Sequence, residues 1–235
     1  DLRKNVIVGV EALVRWKHPA RGLLSPAEFI AIAEESDLID QLGAYVRQSA
    51  CSQYQIWQAR GVAPPRMALN VSGKELMRNT FVDEFMQTLS DFGIKPTAIE
   101  LEITESLLVD ISGPVNAALQ HLRQAGVRIA VDDFGTGYSS LSYLAQLPFD
   151  VLKIDQSFVA EIGKPLETYG IVSVIIDIAH HLRKTVCAEG VENEAQLSFL
   201  RERGCEEVQG FLLSKPLSVE EYENFSNQQH NHIKI

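Results

Sequence analysis

Short apolar runs that are rich in β-branched residues alternate along the chain with longer amphipathic runs of helical period. This alternation is typical of strand and helix pairs that build a parallel sheet. We predict seven strands, which are Val6–Arg15, Met67–Val71, Ala98–Thr104, Arg128–Val131, Val151–Ile154, Thr185–Ala188 and a short one at Glu207–Gln209.

Residues that start and end helices lie between the predicted strands. Ser25 and Ser72 are each followed three positions later by a glutamate, which is the signature of a capped helix start. A glycine that can end a helix in a left-handed conformation follows four helical runs, at Gly61, Gly93, Gly126 and Gly204.

The repeated units predict an α/β fold of the (β/α)8 TIM-barrel type, in which functional groups lie at the C-terminal ends of eight parallel strands. Since only seven strands are predicted, we expect the first strand to lie before residue 1. A doubly wound open sheet is the alternative architecture. It predicts a glycine-rich loop after an early strand, and residues 10–13 (Val-Glu-Ala-Leu) contain no glycine.

The length of 235 residues fits one barrel domain. We expect this domain to occupy residues 1–225 and a polar C-terminal tail to occupy residues 226–235. The first residue is not a methionine, which predicts that the chain is a piece of a longer protein. The longest apolar stretches, such as Ile171–Ala179, are too short to span a bilayer.

The charge balance limits the kinds of binding partner, and the cysteine count limits the kinds of covalent cross-link and metal site. With 21 basic and 31 acidic side chains, the net charge of -10 disfavours polymeric nucleic acid as a partner. The three cysteines include no Cys-x-x-Cys pair, so neither a disulfide framework nor a zinc site is indicated. We expect a cytoplasmic domain, and membrane tethering through regions outside the chain stays open.

Polar residues follow nearly every predicted strand, and they are Glu11, Asn70, Glu102, Asp132, Asp133, Lys153, Glu189 and Gln209. An acid in such a position is more often the cap of the next helix. In a barrel, however, these strand ends converge, and five carboxylates that met there would repel one another. Hard divalent cations such as Mg²⁺ or Mn²⁺ would relieve that repulsion.

The adjacent Asp132 and Asp133 favour a two-metal site, because one carboxylate can bridge two ions while its neighbour binds the second. Such sites hydrolyse phosphoesters. Lys153 lies in an apolar strand, where pairing with carboxylates or a metal-bound water is favoured over a snorkelling side chain. Glu189 is equally compatible with a helix cap and with a metal ligand that acts as a general base.

The segment Asp133–Gly137 contains the Asp-Phe-Gly triplet of protein kinases, but the chain lacks their His-Arg-Asp and glycine-rich loops. Its two glycines are followed by Tyr138–Ser140, and this pattern favours a mobile loop that covers a site. An ordinary tight turn is the alternative. The histidines show no metal-ligand spacing, and Trp16 and Trp57 are expected to have packing roles.

These residues also resemble the EAL-type phosphodiesterases that hydrolyse cyclic di-GMP, a bacterial second messenger. The similarity covers nearly the whole chain in seven ordered blocks, which are Glu11-Ala-Leu-Val-Arg-Trp16, Leu69-Asn-Val-Ser72, Leu101-Glu-Ile-Thr-Glu-Ser106, Asp132-Asp-Phe-Gly-Thr-Gly-Tyr-Ser-Ser-Leu141, Lys153-Ile-Asp155, Ala188-Glu-Gly-Val-Glu192 and Gln209-Gly-Phe211.

The resemblance implies an enzyme that opens cyclic di-GMP to linear 5′-pGpG with two Mg²⁺ or Mn²⁺ ions and so lowers the level of the messenger. It assigns one ion to Glu11, Asn70, Glu102 and Asp132, and the other to Asp132, Asp133 and Glu189. Lys153 would position the attacking water, and Glu189 is the favoured general base. It further implies a homodimer and a fused N-terminal sensory or regulatory domain outside the chain.

The resemblance also implies substrate-binding residues. Arg15 would contact a substrate phosphate, and Gln209 would line the catalytic centre, where Glu11 also lies. Glu192 and Phe211 would recognise or stack on a guanine, and Glu105 would brace the loop from Asp133 to Ser140.

Two other functions remain as alternatives. The first is a catalytically silent receptor that binds cyclic di-GMP and signals to a neighbouring domain. Such receptors tend to lose ligands like Glu11, and every ligand of the pattern is present here. The second is a purely structural barrel, for which five convergent carboxylates would be an unexplained electrostatic cost.

Overall fold

The computed structural model of the protein describes residues 1–105, 107, 113–137, 144–163 and 169–232. The chain forms two compact units. Unit 1 contains Asp1–Val8, Ile103–Ile111 and Arg128–Ile235, and unit 2 contains Gly9–Glu102 and Ser112–Val127. The two units are described separately below.

Seven strands form one sheet, and they are β1 (Val10–Glu11), β4 (Met67–Asn70), β5 (Ile99–Thr104), β6 (Arg128–Phe134), β7 (Val151–Ile154), β8 (Thr185–Ala188) and β9 (Glu207–Val208). Their order in the sheet is β1-β4-β5-β6-β7-β8-β9. The pairings β1 with β4, β4 with β5, β6 with β7, β7 with β8 and β8 with β9 are parallel. All seven predicted strands are therefore present.

The first predicted strand was too long. Only Val10 and Glu11 pair with β4, and the Ala12 amide makes one further hydrogen bond, to the Ala68 carbonyl. The following residues leave the sheet for a short antiparallel hairpin of β2 (Trp16–His18) and β3 (Gly22–Leu24), which the sequence pattern did not predict. In its turn, His18 Nδ1 accepts hydrogen bonds from the amides of Ala20 and Arg21.

The α-helices are α1 (Ile30–Glu35), α2 (Ile39–Arg60), α3 (Gly73–Leu76), α4 (Phe81–Asp91), α5 (Gly113–Gln124), α6 (Gln156–Val159), α7 (Tyr169–His181), α8 (Glu194–Glu202) and α9 (Val219–His232). Both predicted capping boxes are present. Ser25 and Glu28 start a 3₁₀ turn at Pro26–Glu28, and Ser72 and Glu75 start α3. The four predicted glycines all have positive φ, as a left-handed end requires.

The core of each unit is built on its strands. In unit 2, Met67 and Leu69 of β4 and Ile99 and Leu101 of β5 are almost completely buried. In unit 1, all four residues of β7 are buried, and Lys153 is the one charged residue among them. Because these strands are buried along nearly their whole length, parallel strands covered by helices are the pairing their sequence favours.

The C-terminal helix α9 runs through residues that the composition had suggested as a polar tail. Ser226 in this helix is only 3% exposed, since the helix packs its inner face onto the molecule. The domain limit at residue 225 stays a prediction. Among the described residues, none of the helices is long and apolar enough to cross a membrane.

Candidate active site

Three carboxylates of unit 1 come together at the ends of β6 and β8. Asp132, Asp133 and Glu189 each offer an oxygen atom, and these oxygens all lie within 4.8 Å of one another. Asp132 is buried, whereas Glu189 and Asp133 are partly exposed. These three side chains, which the sequence analysis selected at the ends of strands, thus lie in one cluster.

A backbone irregularity puts the two adjacent aspartates on the same side of β6. Successive side chains of a regular strand point to opposite faces of the sheet. Here the register with β7 shifts between Val131 and Phe134, and Asp133 has φ of 55°, in the left-handed region that aspartate tolerates better than most residues. The Asp133 amide donates to Asp132 Oδ1 at 3.0 Å.

The Lys153 ammonium group compensates part of this negative charge. Its Nζ lies 2.7 Å from Glu189 Oε1 and 3.1 Å from Asp132 Oδ1. The residue is only 2% exposed, so its charge is little screened by water. The paired interpretation of Lys153 agrees with this position, and the snorkelling alternative does not.

Gln209 adds a second donor to the same carboxylate. Its Nε2 donates to Glu189 Oε1 at 2.8 Å. The Glu189 amide donates to the Ile154 carbonyl, which fixes the backbone of Glu189 beside β7. Two side-chain donors on Oε1 thus set the orientation of the Glu189 carboxylate.

Glu105 contacts the turn that follows β6. Its Oε2 accepts hydrogen bonds from the amides of Gly135 at 2.7 Å and Gly137 at 3.2 Å. Gly135 has φ of +101°, and a Cβ there would lie 2.7 Å from the Phe158 ring, so a glycine is required. The predicted mobile segment Tyr138–Ser140 lies outside the described residues.

The two predicted guanine-binding residues of unit 1 are accessible. Phe211 is 57% exposed, and the Lys215 ammonium group lies 5.8 Å from the centroid of its ring. Glu192 is also exposed, and its amide donates to Gln196 Oε1 at 2.7 Å. Gln196 Oε1 accepts from the Asn193 amide as well, so this buried side chain fixes the backbone that carries Glu192.

Unit 2 carries the remaining strand-end residues. Asn70 Nδ2 donates to Glu11 Oε1 at 2.8 Å, and Asn70 is the register partner of Glu102 in the neighbouring strand. Glu102 is buried. Arg15 is exposed, and its Nη1 donates to the Val14 carbonyl. The structure thus brings Glu11, Asn70 and Glu102 together, whereas Arg15 lies beyond the end of β1.

The chemistry of these donors fits a hard divalent cation. Carboxylate and amide oxygens are the ligands that Mg²⁺ and Mn²⁺ prefer. Burial raises the pKa of the Cys51 thiol to about 11 and that of the Cys205 thiol to about 12. Neither of these cysteines is among the three residues of the carboxylate cluster.

The sequence analysis did not predict the contact between two charged residues that are buried in unit 2. Arg47 of α2 and Glu75 of α3 are both buried, with Arg47 Nη1 3.3 Å from Glu75 Oε1. Glu75 had been noticed only as part of a capping box. An ionic partner 28 positions away leaves no periodic signal in the sequence.

The sequence model of the EAL domain matches residues 1–216. The chain belongs to the EAL domain family. The resemblance seen in the seven sequence blocks is thereby confirmed.

Two of its curated relatives illustrate the range of the family. This EAL domain is 44% identical over 216 residues to the cyclic di-GMP phosphodiesterase NbdA of Pseudomonas aeruginosa, which covers 92% of the chain and 28% of NbdA. It is 42% identical over 221 residues to the uncharacterized protein Rv1354c of Mycobacterium tuberculosis, with 94% of the chain and 36% of the relative covered. The chain thus spans about a third of the length of these relatives.

Solved structures confirm the fold. The PaMucR phosphodiesterase in complex with c-di-GMP matches with a TM-score of 0.86 and 41% identity over 91% of this chain and 86% of that one. The EAL domain of Mycobacterium smegmatis DcpA matches with a TM-score of 0.83 and 36% identity over 97% and 94% of the two chains. The predicted α/β, TIM-barrel-type fold class is therefore confirmed.

Proposed function

We propose that this EAL domain is a metal-dependent phosphodiesterase that hydrolyses cyclic di-GMP to linear 5′-pGpG. The carrying observation is the cluster of Asp132, Asp133 and Glu189 around the buried Lys153. An acidic cluster of this kind has no evident structural purpose, because like charges at short range raise the free energy of the folded state. The names of relatives such as NbdA support the choice of substrate.

Two groups of oxygen donors would hold the cations. Asp132, Asp133 and Glu189 of unit 1 would bind one Mg²⁺ or Mn²⁺ ion, and Glu11, Asn70 and Glu102 of unit 2 would supply ligands for the other. Divalent cations in such a site lower the pKa of a bound water and stabilise negative charge on the phosphate.

The protein's own groups would orient the attack. The Lys153 ammonium group lies within contact distance of Asp132 and Glu189, which are proposed cation ligands. It can therefore donate a hydrogen bond to a water molecule or hydroxide that is bound between them. Glu189, oriented by Gln209, is the proposed general base that takes the proton of this water. The water oxygen would form a bond to phosphorus while the bond from phosphorus to the 3′-oxygen breaks. The proton taken from the water would pass to that oxygen, which leaves one 5′-phosphate and one 3′-hydroxyl group.

Other residues would bind the dinucleotide. Phe211 presents an exposed ring face on which a guanine can stack, and Glu192 offers a carboxylate to the donor edge of a guanine. Arg15 would contact a substrate phosphate. Glu105 would hold the turn at Gly135 and Gly137 in place for the segment that follows it.

Hydrolysis of cyclic di-GMP with Mg²⁺ or Mn²⁺, an EDTA control and chromatography of the product tests this proposal. Metal-dependent formation of 5′-pGpG is the expected result. Tight binding of cyclic di-GMP without any product would instead assign the chain to the receptor class. A cytoplasmic homodimer with a fused regulatory domain remains our proposal for the whole protein.

A further inference from the structure

The buried Arg47–Glu75 pair of unit 2 contacts the turn that follows the strand carrying Asn70. The Arg47 and Glu75 side chains are only 7% and 4% exposed. The Arg47 guanidinium group also lies over the rings of Phe81 and Phe85, 5.4 Å and 6.0 Å from their centroids. A buried ion pair contributes little net stability compared with apolar residues of similar size, so folding alone does not account for it.

Glu75 connects the long helix α2 to the turn after β4. Its Oε1 faces Arg47, while its Oε2 accepts from the Ser72 amide at 3.2 Å and from the Ser72 hydroxyl at 3.0 Å. The Ser72 hydroxyl in turn accepts from the Glu75 amide at 3.3 Å. Ser72 is therefore held at its backbone and at its side chain by one carboxylate.

The turn held in this way begins at Asn70. Asn70 is the last residue of β4, and its side chain donates to Glu11. The next amide, that of Val71, donates to the Glu102 carbonyl at 3.0 Å. Ser72 follows directly, so the Glu75 carboxylate fixes the downstream end of the segment that orients the Asn70 side chain.

Gly43 allows the carboxylate to reach this position. A Cβ at Gly43 of α2 would overlap Glu75 Oε1, and the other carboxylate atoms as well. Glu75 therefore lies against the backbone of α2, and any larger residue at position 43 would displace it. Gly43 and Arg47 of α2, together with Ser72 at the start of α3, thus specify one location for the carboxylate.

We propose that Arg47 and Glu75 are positioning residues for the cation site, acting through Ser72 on the Asn70 side chain. Neither residue belongs to the proposed ligand set, and the role rests on the proposed function of that set. Polar groups that orient a metal ligand from behind commonly change metal affinity by about 10- to 100-fold when they are removed. Weaker cation binding at unchanged folding is therefore the signature of this role.

A second ion pair in unit 2 provides a matched control. Arg66 Nε lies 3.4 Å from Glu100 Oε2, and these side chains are 14% and 7% exposed. Arg66 directly precedes β4, and Glu100 is the second residue of β5, so this pair lies at the other end of the same strands. Glu100→Gln should disturb packing as Glu75→Gln does, without reaching Asn70.

The experiment measures Mn²⁺ binding by electron paramagnetic resonance on the whole chain for wild type, Glu75→Gln, Glu100→Gln and the double variant Arg47→Met with Glu75→Gln. The double variant removes both buried charges, so it keeps the test valid if the single change leaves Arg47 uncompensated. Circular dichroism at the same temperature confirms that each variant is folded.

We expect Mn²⁺ affinity about tenfold or more below wild type in both Glu75 variants, and within about twofold of wild type in Glu100→Gln. Wild-type affinity in the Glu75 variants, or an equal loss in Glu100→Gln, would overturn the positioning role. If the wild type binds no Mn²⁺, the cation site itself is refuted and the role with it. If it binds Mn²⁺ without hydrolysing cyclic di-GMP, only the proposed function fails, and the comparison of variants still decides.

Discussion

At the scale of single residues, the site owes its properties to one buried ammonium group among carboxylates. Lys153 contacts Asp132 and Glu189, and it does so from a strand whose other residues are fully buried and apolar. Lysine in such a position is stable only when its charge has partners. The same contacts allow the carboxylates to remain close together without a cation from solution.

Replacement of Lys153 by methionine should therefore destabilise the protein in the absence of divalent cations. We expect a loss of about 3–5 kcal/mol in the free energy of unfolding, because the change leaves two carboxylates without their buried counter-charge. Mn²⁺ should restore part of the loss by occupying the cluster. Urea unfolding in EDTA and in Mn²⁺ measures both effects, and wild-type stability of the variant in EDTA would contradict this account.

Asp132→Asn is the sharpest test of the acidic cluster. The asparagine carbonyl can still accept the hydrogen bond from the Asp133 amide, so the fold should be retained. Because the anionic ligand is lost, we expect turnover of cyclic di-GMP to fall by at least about a hundredfold. Activity assays combined with Mn²⁺ binding check this, and wild-type turnover with unchanged metal binding would refute the assignment of Asp132.

At the scale of secondary-structure elements, the irregular end of β6 determines what the strand can present. The register shift and the positive φ of Asp133 turn two neighbouring side chains toward one cluster. A left-handed conformation costs most L-residues about 1–2 kcal/mol, whereas asparagine and aspartate adopt it more readily. Backbone and side-chain effects at position 133 can therefore be separated by the choice of substitution.

We predict that Asp133→Asn keeps the stability of the wild type and loses hydrolytic activity. Asp133→Ala should lose activity too, and it should also lose about 1 kcal/mol of stability through its backbone. Thermal and urea unfolding of the two variants provide the comparison. Equal stability of both would show that the left-handed turn is not retained or not strained.

The contact between α2 and α3 predicts a dependence of stability on pH. Burial is the main cause that raises the pKa of Glu75 above 4.5 in the folded protein, and the Ser72 and Arg47 contacts oppose it. The folded state then holds the proton more tightly than the unfolded state, so this contribution to stability is present below pH 4.5 and is lost as pH rises through the folded pKa.

The Glu75→Gln variant has no carboxyl group that can titrate at this position, so its stability should not fall in this way as pH rises. We expect the free energy of unfolding of the variant, relative to that of wild type, to increase as pH rises from about 4.5 to about 7.5, because only the wild type loses stability over this range. Urea titrations of both proteins across that range measure the difference. A constant difference would contradict the raised pKa.

At the scale of the whole molecule, the net charge of -10 sets the partners that the surface can attract. A long phosphate backbone would need clusters of basic residues, and the sequence has no such run. We therefore predict no binding of a labelled 20-base-pair DNA duplex at about 50 mM salt, measured by fluorescence anisotropy. Saturable micromolar binding would show that the net charge misrepresents the surface.

Most of the fold could be predicted from the sequence because buried parallel strands leave continuous apolar runs, as at Ile129–Val131 of β6. The hairpin of β2 and β3 could not, because three-residue strands carry too few positions to show alternation. The five acidic residues at strand ends could also be predicted as candidate site residues, because they lie where these apolar runs end. The Arg47–Glu75 contact was not, because it depends on how two helices pack.

The left-handed backbone at Asp133 also bears on how such a domain can lose its activity in evolution. Aspartate codons are a single nucleotide change from those of asparagine and glycine, the two residues that best tolerate this conformation. Other single-nucleotide replacements, such as valine or tyrosine, add backbone strain to the lost carboxylate. A folded descendant of this domain without the proposed activity is thus one mutation away, and asparagine or glycine at position 133 is the residue that it would carry.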